Sequence, residues 1–261
     1  DQDAVLIKTS PDLGALLMST YFGGSNLDAA YVLGVSPING DIWICGATES
    51  SDFPGNKSGT VGPAYSGGST EGFVAVFSND GTVLKKSTFI GTAAQDAVLG
   101  FEFDRTGDPY IMGVTYGTWP IINAAYGTPN SKQFVGKLMA DLSGWQFTTT
   151  FGTAGALPNI SPVAFLVDRC ENMYVSGWGG TNLANYDMKG TSGMEVTSDA
   201  IKKSTDNNDF YFIVIKRNAA SLLYASYFGQ TGNFSEHVDG GTSRYDQNGI
   251  IYQAMCANCY S

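Results

Sequence analysis

Positive charge and histidine are both scarce in this sequence. The chain carries 14 Lys and Arg residues against 24 Asp and Glu residues, for a formal net charge of −10, and its one histidine is His237. Nucleic-acid binding needs clustered Lys and Arg to neutralise phosphates, so this balance argues against a nucleic-acid partner. A Ser-His-Asp triad would have to use His237, and the sequence lacks a GxSxG motif. These residues therefore indicate neither a nucleic-acid-binding protein nor a serine hydrolase.

Long apolar runs are missing as well. None approaches the roughly 20 residues that a membrane helix needs, so we predict no transmembrane segment in this chain. The first ten residues, DQDAVLIKTS, contain neither the basic nor the apolar region of a signal peptide. We therefore expect any signal peptide to have been removed already.

Cysteine is limited to Cys45, Cys170, Cys256 and Cys259. A chain of this length does not depend on a disulfide framework to fold. A zinc site at the CxxC formed by Cys256 and Cys259 would need two further ligands, and the βαβ pattern that accompanies redox CxxC motifs is missing. We predict a local disulfide between Cys256 and Cys259, with free thiols or partners outside the chain as the alternatives.

Glycine and aromatic residues are abundant, with 33 Gly, 14 Tyr and 15 Phe, and they favour short strands joined by tight turns. The stretch STYFGG recurs as STFIGT, TTTFGT and ASYFGQ, and each copy follows another repeated strand-like segment. The spacing from that segment to the first glycine is constant in three copies and two residues shorter in the last: Lys8 to Gly23, Val76 to Gly91, Lys137 to Gly152 and Lys216 to Gly229. Polar turn sequences lie between, so each copy predicts a β-hairpin.

A second hairpin follows each copy, and its first strand reads AAYVLGV, AVLGFEF, SPVAFLV or HVDGGTSRY. The sequence therefore predicts an all-β domain over 1–261 built from four-strand units, approximately 3–71, 72–132, 133–209 and 210–261. Radial repetition of four-stranded antiparallel blades makes a β-propeller, with these first strands innermost. The alternative fold is a β-sandwich, which does not require self-similarity. The strands either close a four-bladed ring or form part of a larger one.

The stretch DAVLIKTSPDLGALLMSTYFGG, followed by GDIWICGATESSDFP, resembles the SBBP-type β-propeller repeat. FLVDRCENMYVSGWGG is similar to a variety found in large secreted Bacteroidetes proteins, which often carry PKD-like modules and a gliding-motility-associated, type IX secretion domain. The resemblance covers nearly the whole chain. It implies a secreted or cell-surface β-propeller module, with further domains of the same polypeptide beyond its termini. It implies no particular reaction.

Acidic residues recur shortly after the motif glycine, at Asp28, Asp96 and Glu236, while the third unit has Asn159 there. Before an innermost strand, such side chains would stand at one mouth of the central channel. Oxygen ligands suit Ca²⁺, so one interpretation is an acidic calcium-binding rim. The other is that these carboxylates bond turn amides. We predict that the glycines themselves are structural, in turns or under close contacts: Gly23, Gly91, Gly152 and Gly229.

Aromatic residues in the long connections are candidates for stacking on sugar rings, or for packing between blades: Phe53, Trp119, Trp178 and Tyr186. The function that we predict is a non-enzymatic scaffold or adhesion module with a protein or surface-glycan partner. The alternatives are a carbohydrate-active propeller hydrolase and a purely structural spacer in a giant surface protein.

Overall fold

The computed structural model describes residues 2–180, 188–232, 236–238, 243–246 and 250–257. These residues form an all-β chain with one turn of 3₁₀ helix at Arg217–Ala219, and no helix among them has the length and apolar character to cross a membrane. The strands are β1 (Ala4–Thr9), β2 (Leu16–Phe22), β3 (Asp28–Val35), β4 (Ile42–Thr48), β5 (Glu71–Phe77), β6 (Leu84–Ile90), β7 (Asp96–Phe103), β8 (Pro109–Thr115), β9 (Gln133–Leu138), β10 (Trp145–Phe151), β11 (Ser161–Val167), β12 (Met173–Trp178), β13 (Phe210–Ile215), β14 (Leu222–Phe228), β15 (Glu236–His237), β16 (Ser243–Tyr245), β17 (Ile251–Gln253) and β18 (Cys256–Ala257).

Three four-stranded antiparallel sheets account for most of these strands. Their strand orders are β3-β4-β5-β6, β10-β9-β8-β7 and β11-β12-β13-β14. Each sheet joins two hairpins that the repeated sequence predicts, and the long connection links the second strand to the third. The prediction of an all-β chain with four-stranded antiparallel sheets is confirmed.

The remaining strands form two-stranded sheets. β1 pairs with β2, β15 with β18, and β16 with β17. The described parts of the last predicted hairpin are the pairs β15–β18 and β16–β17.

Two β-bulges lie opposite glycines that end predicted strands. The pairing of β3 with β4 skips Tyr31 opposite Gly46, and the pairing of β11 with β12 skips Val163 opposite Gly177. A Cβ on Gly46 would overlap the carbonyl oxygen of Ala29. The repeated glycine therefore makes room for the partner strand where the bulge brings it close.

The long connections 49–70 and 116–132, and the described part of 179–209, run beside the outermost strand of the sheet that they enter. In the first connection the amide of Phe89 in β6 donates to the carbonyl of Gly62 at 3.0 Å. Similar backbone contacts attach the second connection to β10 and the third to β14. The joined residues are Gly62 with Phe89, Ile122 with Thr148, and Lys202 with Tyr227.

The chain divides into two compact units, Asp1–Ile111 with Leu138–Trp145 and Met112–Lys137 with Gln146–Ser261. In the first unit, one face of the β1–β2 hairpin packs into an aromatic cluster with β4, β5 and β6. The ring of Phe22 meets those of Phe53, Phe73 and Phe77 edge-on, with centroids 5.1 to 6.4 Å apart. Each such pair contributes about 0.5–1.5 kcal/mol beyond the area it buries.

In the second compact unit, Trp178 packs with Phe210, Phe212 and Val238 in a smaller buried cluster. Phe210 and Phe212 belong to β13, every residue of which is buried. The sequence FYFIVI is apolar throughout, as expected of a strand that is covered on both faces.

Candidate functional site

The acidic residues singled out in the sequence each hold the turn of their own repeat. A side-chain oxygen of a residue at the start of the next strand, or two residues before it in the case of Asn159, accepts the N–H of the residue after the motif glycine. This contact is repeated in all four units at nearly the same length, and the interpretation that these side chains bond turn amides is what the geometry shows. The contacts are Asp28 with Gly24 at 2.7 Å, Asp96 with Thr92 at 2.7 Å, Asn159 with Thr153 at 2.7 Å and Glu236 with Gln230 at 2.8 Å.

A second polar side chain faces each motif glycine from the start of the neighbouring hairpin strand, and sequence reasoning missed it. A Cβ on Gly91 would lie 2.9 Å from Oε1 of Glu71 and 2.8 Å from Oδ2 of Asp96. The same arrangement surrounds Gly23, Gly152 and Gly229. We name the two side chains the flanking pair. The flanking pairs are Asp3 with Asp28, Glu71 with Asp96, Gln133 with Asn159, and Asp209 with Glu236.

The third flanking pair consists of two amides and supplies its own hydrogen bonds. Gln133 accepts the Asn159 N–H at 2.8 Å and donates to the carbonyl of Phe151 at 3.2 Å. The Asn159 amide group donates to Thr153 Oγ1 at 2.9 Å and to the Gly190 carbonyl at 2.8 Å. Both residues are buried, so an internal donor for every acceptor keeps the pair stable without any charge.

The acidic flanking pairs leave oxygen atoms without donors. Asp28 Oδ1, Glu71 Oε1 and Glu236 Oε2 are buried and have no hydrogen-bond partner. Burial raises the pKa of Glu71, and the nearby Asp96 carboxylate raises it further, against the opposing effect of a hydrogen bond from Ser66. Burial likewise raises the pKa of Glu236, with a smaller contribution from Asp209. A buried carboxylate that lacks a donor or a counter-charge is costly, so these pairs favour a bound positive charge.

At the fourth flanking pair a lysine supplies that charge. The Lys202 ammonium forms an ion pair with Asp209, whose side chain is fully buried. It also donates to the carbonyl oxygens of Gly229 at 3.2 Å and Gln230 at 2.6 Å. A cationic group therefore occupies the space bounded by a flanking carboxylate and the two carbonyls that begin at the motif glycine.

The three carboxylates of the predicted calcium rim are buried. Asp28, Asp96 and Glu236 are each at most 1% exposed. Among the described residues, no three or more His, Cys, Asp or Glu side chains form a group that could hold a metal ion. Any cation site in these turns would therefore have to draw on two carboxylates together with backbone oxygens.

Three of the four candidate stacking aromatics are described, and all three are buried. Phe53 is part of the aromatic cluster of the first compact unit, and Trp178 belongs to the buried cluster of the second compact unit. Trp119 donates its indole N–H to Thr148 Oγ1 at 2.7 Å. None of these rings offers a face to a sugar. Tyr186 lies outside the described residues.

The motif glycines have two different reasons to be glycine. Gly152 and Gly229 have positive φ angles of 106° and 156°, in a region that L side chains rarely adopt. Gly23 and Gly91 are required by the flanking carboxylates, which come too close for a Cβ.

Cys256 is disulfide-bonded, whereas Cys45 and Cys170 are free thiols. Cys259, the predicted partner of Cys256, lies outside the described residues. Cys45 is completely buried in β4, and burial raises the pKa of its thiol, so the reactive thiolate form is disfavoured.

Comparison with known proteins adds no assignment to this geometry. No protein-family model matches the chain, and no curated protein matches it.

Proposed function

We propose that this chain is an exported β-propeller module of the SBBP kind, which acts outside the cell as a non-enzymatic scaffold that binds other proteins. The propeller is supported by three successive four-stranded sheets with one repeated hairpin design. Export, and a place among gliding-motility or type IX secretion cargo, rest on the resemblance of the repeat sequences.

The observation that carries the binding role is the outer face of the β1–β2 hairpin. Val5 and Tyr21 lie opposite each other across the two strands, and Ile7 follows on the same face. These side chains are 48%, 77% and 56% exposed for Val5, Tyr21 and Ile7, while the opposite face of the hairpin is packed in the core. A sheet surface that is apolar on both sides and covered on one is typical of an interaction site.

A protein partner fits this face better than a glycan does. The candidate stacking rings Phe53, Trp119 and Trp178 are buried. The exposed ring of Tyr21 lies opposite the aliphatic side chain of Val5, and this combination suits an apolar protein surface. A cleft of about 360 Å³ beside Tyr21 and Asp3 borders the face. A partner side chain could enter it while the apolar strands are covered.

The proposal is tested with the labelled chain on intact cells and on a glycan array. We expect saturable binding to cells that protease treatment of the cell surface abolishes, and weaker binding by the variant Val5→Thr with Tyr21→Thr. Threonine retains strand propensity, so this variant should fold. Ile201→Thr, which changes an exposed side chain elsewhere, is the matched control.

Each competing function gives a different result. Protease-resistant binding together with array signals would indicate a glycan ligand. Release of sugar products from polysaccharides would indicate a hydrolase. Absence of binding in every assay would indicate a structural spacer and would contradict the proposal.

A further inference from the structure

We propose that the second flanking pair, Glu71 with Asp96, binds a calcium ion beside Gly91. This site differs from the predicted rim, because it joins two carboxylates of one repeat rather than one carboxylate from each of three repeats. It does not depend on the proposed binding function.

The first argument is the unsatisfied oxygen. Glu71 is fully buried, and its Oε1 atom has no hydrogen-bond partner. That oxygen and Oδ2 of Asp96 both lie within 3 Å of the point where a Cβ of Gly91 would stand. Two carboxylate oxygens therefore converge beside Gly91, which has no side chain to keep them apart.

The second argument is the behaviour of the same position in the other repeats. The third unit has two amides there and satisfies them internally. The fourth flanking pair has two carboxylates, and the Lys202 ammonium forms an ion pair with one of them, Asp209. The second flanking pair also has two carboxylates, and the sequence contains no Lys or Arg from Ser58 to Leu84. Its Glu71 Oε1 atom has no donor, and a bound cation would satisfy it.

The third argument is the chemistry of the ligands. Both side-chain ligands are oxygen atoms, and the carbonyls equivalent to those that bind Lys202 are those of Gly91 and Thr92. An all-oxygen set with several backbone members is typical of Ca²⁺, which accepts irregular geometry, and not of zinc. Two carboxylates also balance one divalent charge, so the buried site would be neutral, whereas a single proton would leave one negative charge.

The experiment counts the calcium ions bound per chain by equilibrium dialysis. The variant Glu71→Gln with Asp96→Asn copies the Gln133–Asn159 pair of the third unit, so it provides a neutral replacement with a precedent in the same fold. We expect this variant to bind one calcium ion fewer than the wild type. The control Asp80→Asn with Asp141→Asn changes exposed hairpin-turn carboxylates and should bind as many ions as the wild type.

Thermal unfolding provides the second measurement. Calcium should raise the melting temperature of the wild type more than that of the amide variant. Equal calcium counts in wild type and variant would overturn the proposal. It would also be overturned if calcium had no effect while acidification from pH 7.5 to 5.5 in chelator stabilised the wild type, because the pair would then hold a proton. If the double variant does not fold, as judged by near-ultraviolet circular dichroism, Glu71→Gln alone is compared in both measurements.

Discussion

The indole ring of Trp119 lies flat on the phenyl ring of Phe134, with centroids 3.7 Å apart and planes inclined by 6°. Trp119 belongs to a long connection and Phe134 to β9. The contact therefore fixes a segment without regular secondary structure onto a buried strand of the second compact unit.

Replacing Trp119 by alanine should destabilise the protein by about 3–5 kcal/mol, the usual cost of deleting a large buried aromatic side chain. The lost stacking and the lost hydrogen bond to Thr148 both contribute. Chemical denaturation of Trp119→Ala measures the change. Tyr21→Ala, at an exposed position, is the control and should change the free energy of unfolding by less than about 0.5 kcal/mol. A similar loss in both variants would show that burial of Trp119 is not the cause.

Gly91→Ala should cost about 1–3 kcal/mol, as over-packing does elsewhere. The new methyl group would lie 2.6 Å from Cγ of Glu71 and 2.8 Å from Oδ2 of Asp96. Gly144→Ala is the matched control, because its nearest atom, Cγ of Met139, lies 4.0 Å away. Differential scanning calorimetry should show a lower melting temperature for Gly91→Ala alone. An unchanged melting temperature for Gly91→Ala would mean that the Glu71 and Asp96 side chains can move away from the methyl group without loss of stability.

Burial raises the pKa of Glu102 in β7 to about 7 from an ordinary value of 4.5. A carboxyl group with a raised pKa stabilises the fold fully below its ordinary pKa, and this contribution is lost as the pH rises through about 7. Glu102→Gln should therefore be more stable than the wild type at pH 8, by about 1–3 kcal/mol after allowance for partial exposure. Denaturation curves at pH 4 and pH 8 check this, and an equal advantage at both would contradict the assigned cause.

Lys202→Met should destabilise the protein by about 3–5 kcal/mol, because it leaves the buried Asp209 carboxylate without its counter-charge. The double variant Lys202→Met with Asp209→Asn removes that charge and should recover part of the loss. Urea denaturation of both variants measures the recovery. If the two variants unfold at the same urea concentration, the ion pair does not carry the stability.

The hairpins could be predicted from sequence because their signal is local. A strand, a polar turn and a strand ending in glycine recur at nearly constant spacing, and backbone pairing between neighbours in sequence follows from that pattern. The Asp28 and Asp96 carboxylates were found in the same way, since each lies a few residues after its glycine. The hydrogen bonds that they accept confirm only the turn role.

The second member of each flanking pair could not be found in this way. Glu71 and Asp96 are far apart in sequence. The pairing of β5 with β6 brings Glu71 beside the glycine that follows β6, and the Asp96 side chain approaches the same glycine from the start of β7. The pattern becomes visible once the register is known, because acids occupy both places in three units and amides occupy both in the third. Aligning the residue before each hairpin strand would have provided the missing signal.

Sequence analysis left the roles of Trp119 and Phe53 open between stacking on sugar rings and packing between blades. Composition places both in long connections, where exposure is the usual expectation. The connections instead lie against the sheets and bury these rings, and only tertiary packing decides that outcome.

The path of the long connections has a consequence for how this chain behaves at high concentration. A sheet whose outermost strand has unpaired backbone groups invites another molecule to add a strand and begin an aggregate. Connection 49–70 already bonds to β6 through Gly62 and Phe89, and the connections to β10 and β14 do the same. The long connections therefore protect the outermost strands from pairing with a strand of another molecule. Shortening a connection would expose the chain to aggregation even where the packed core is unchanged.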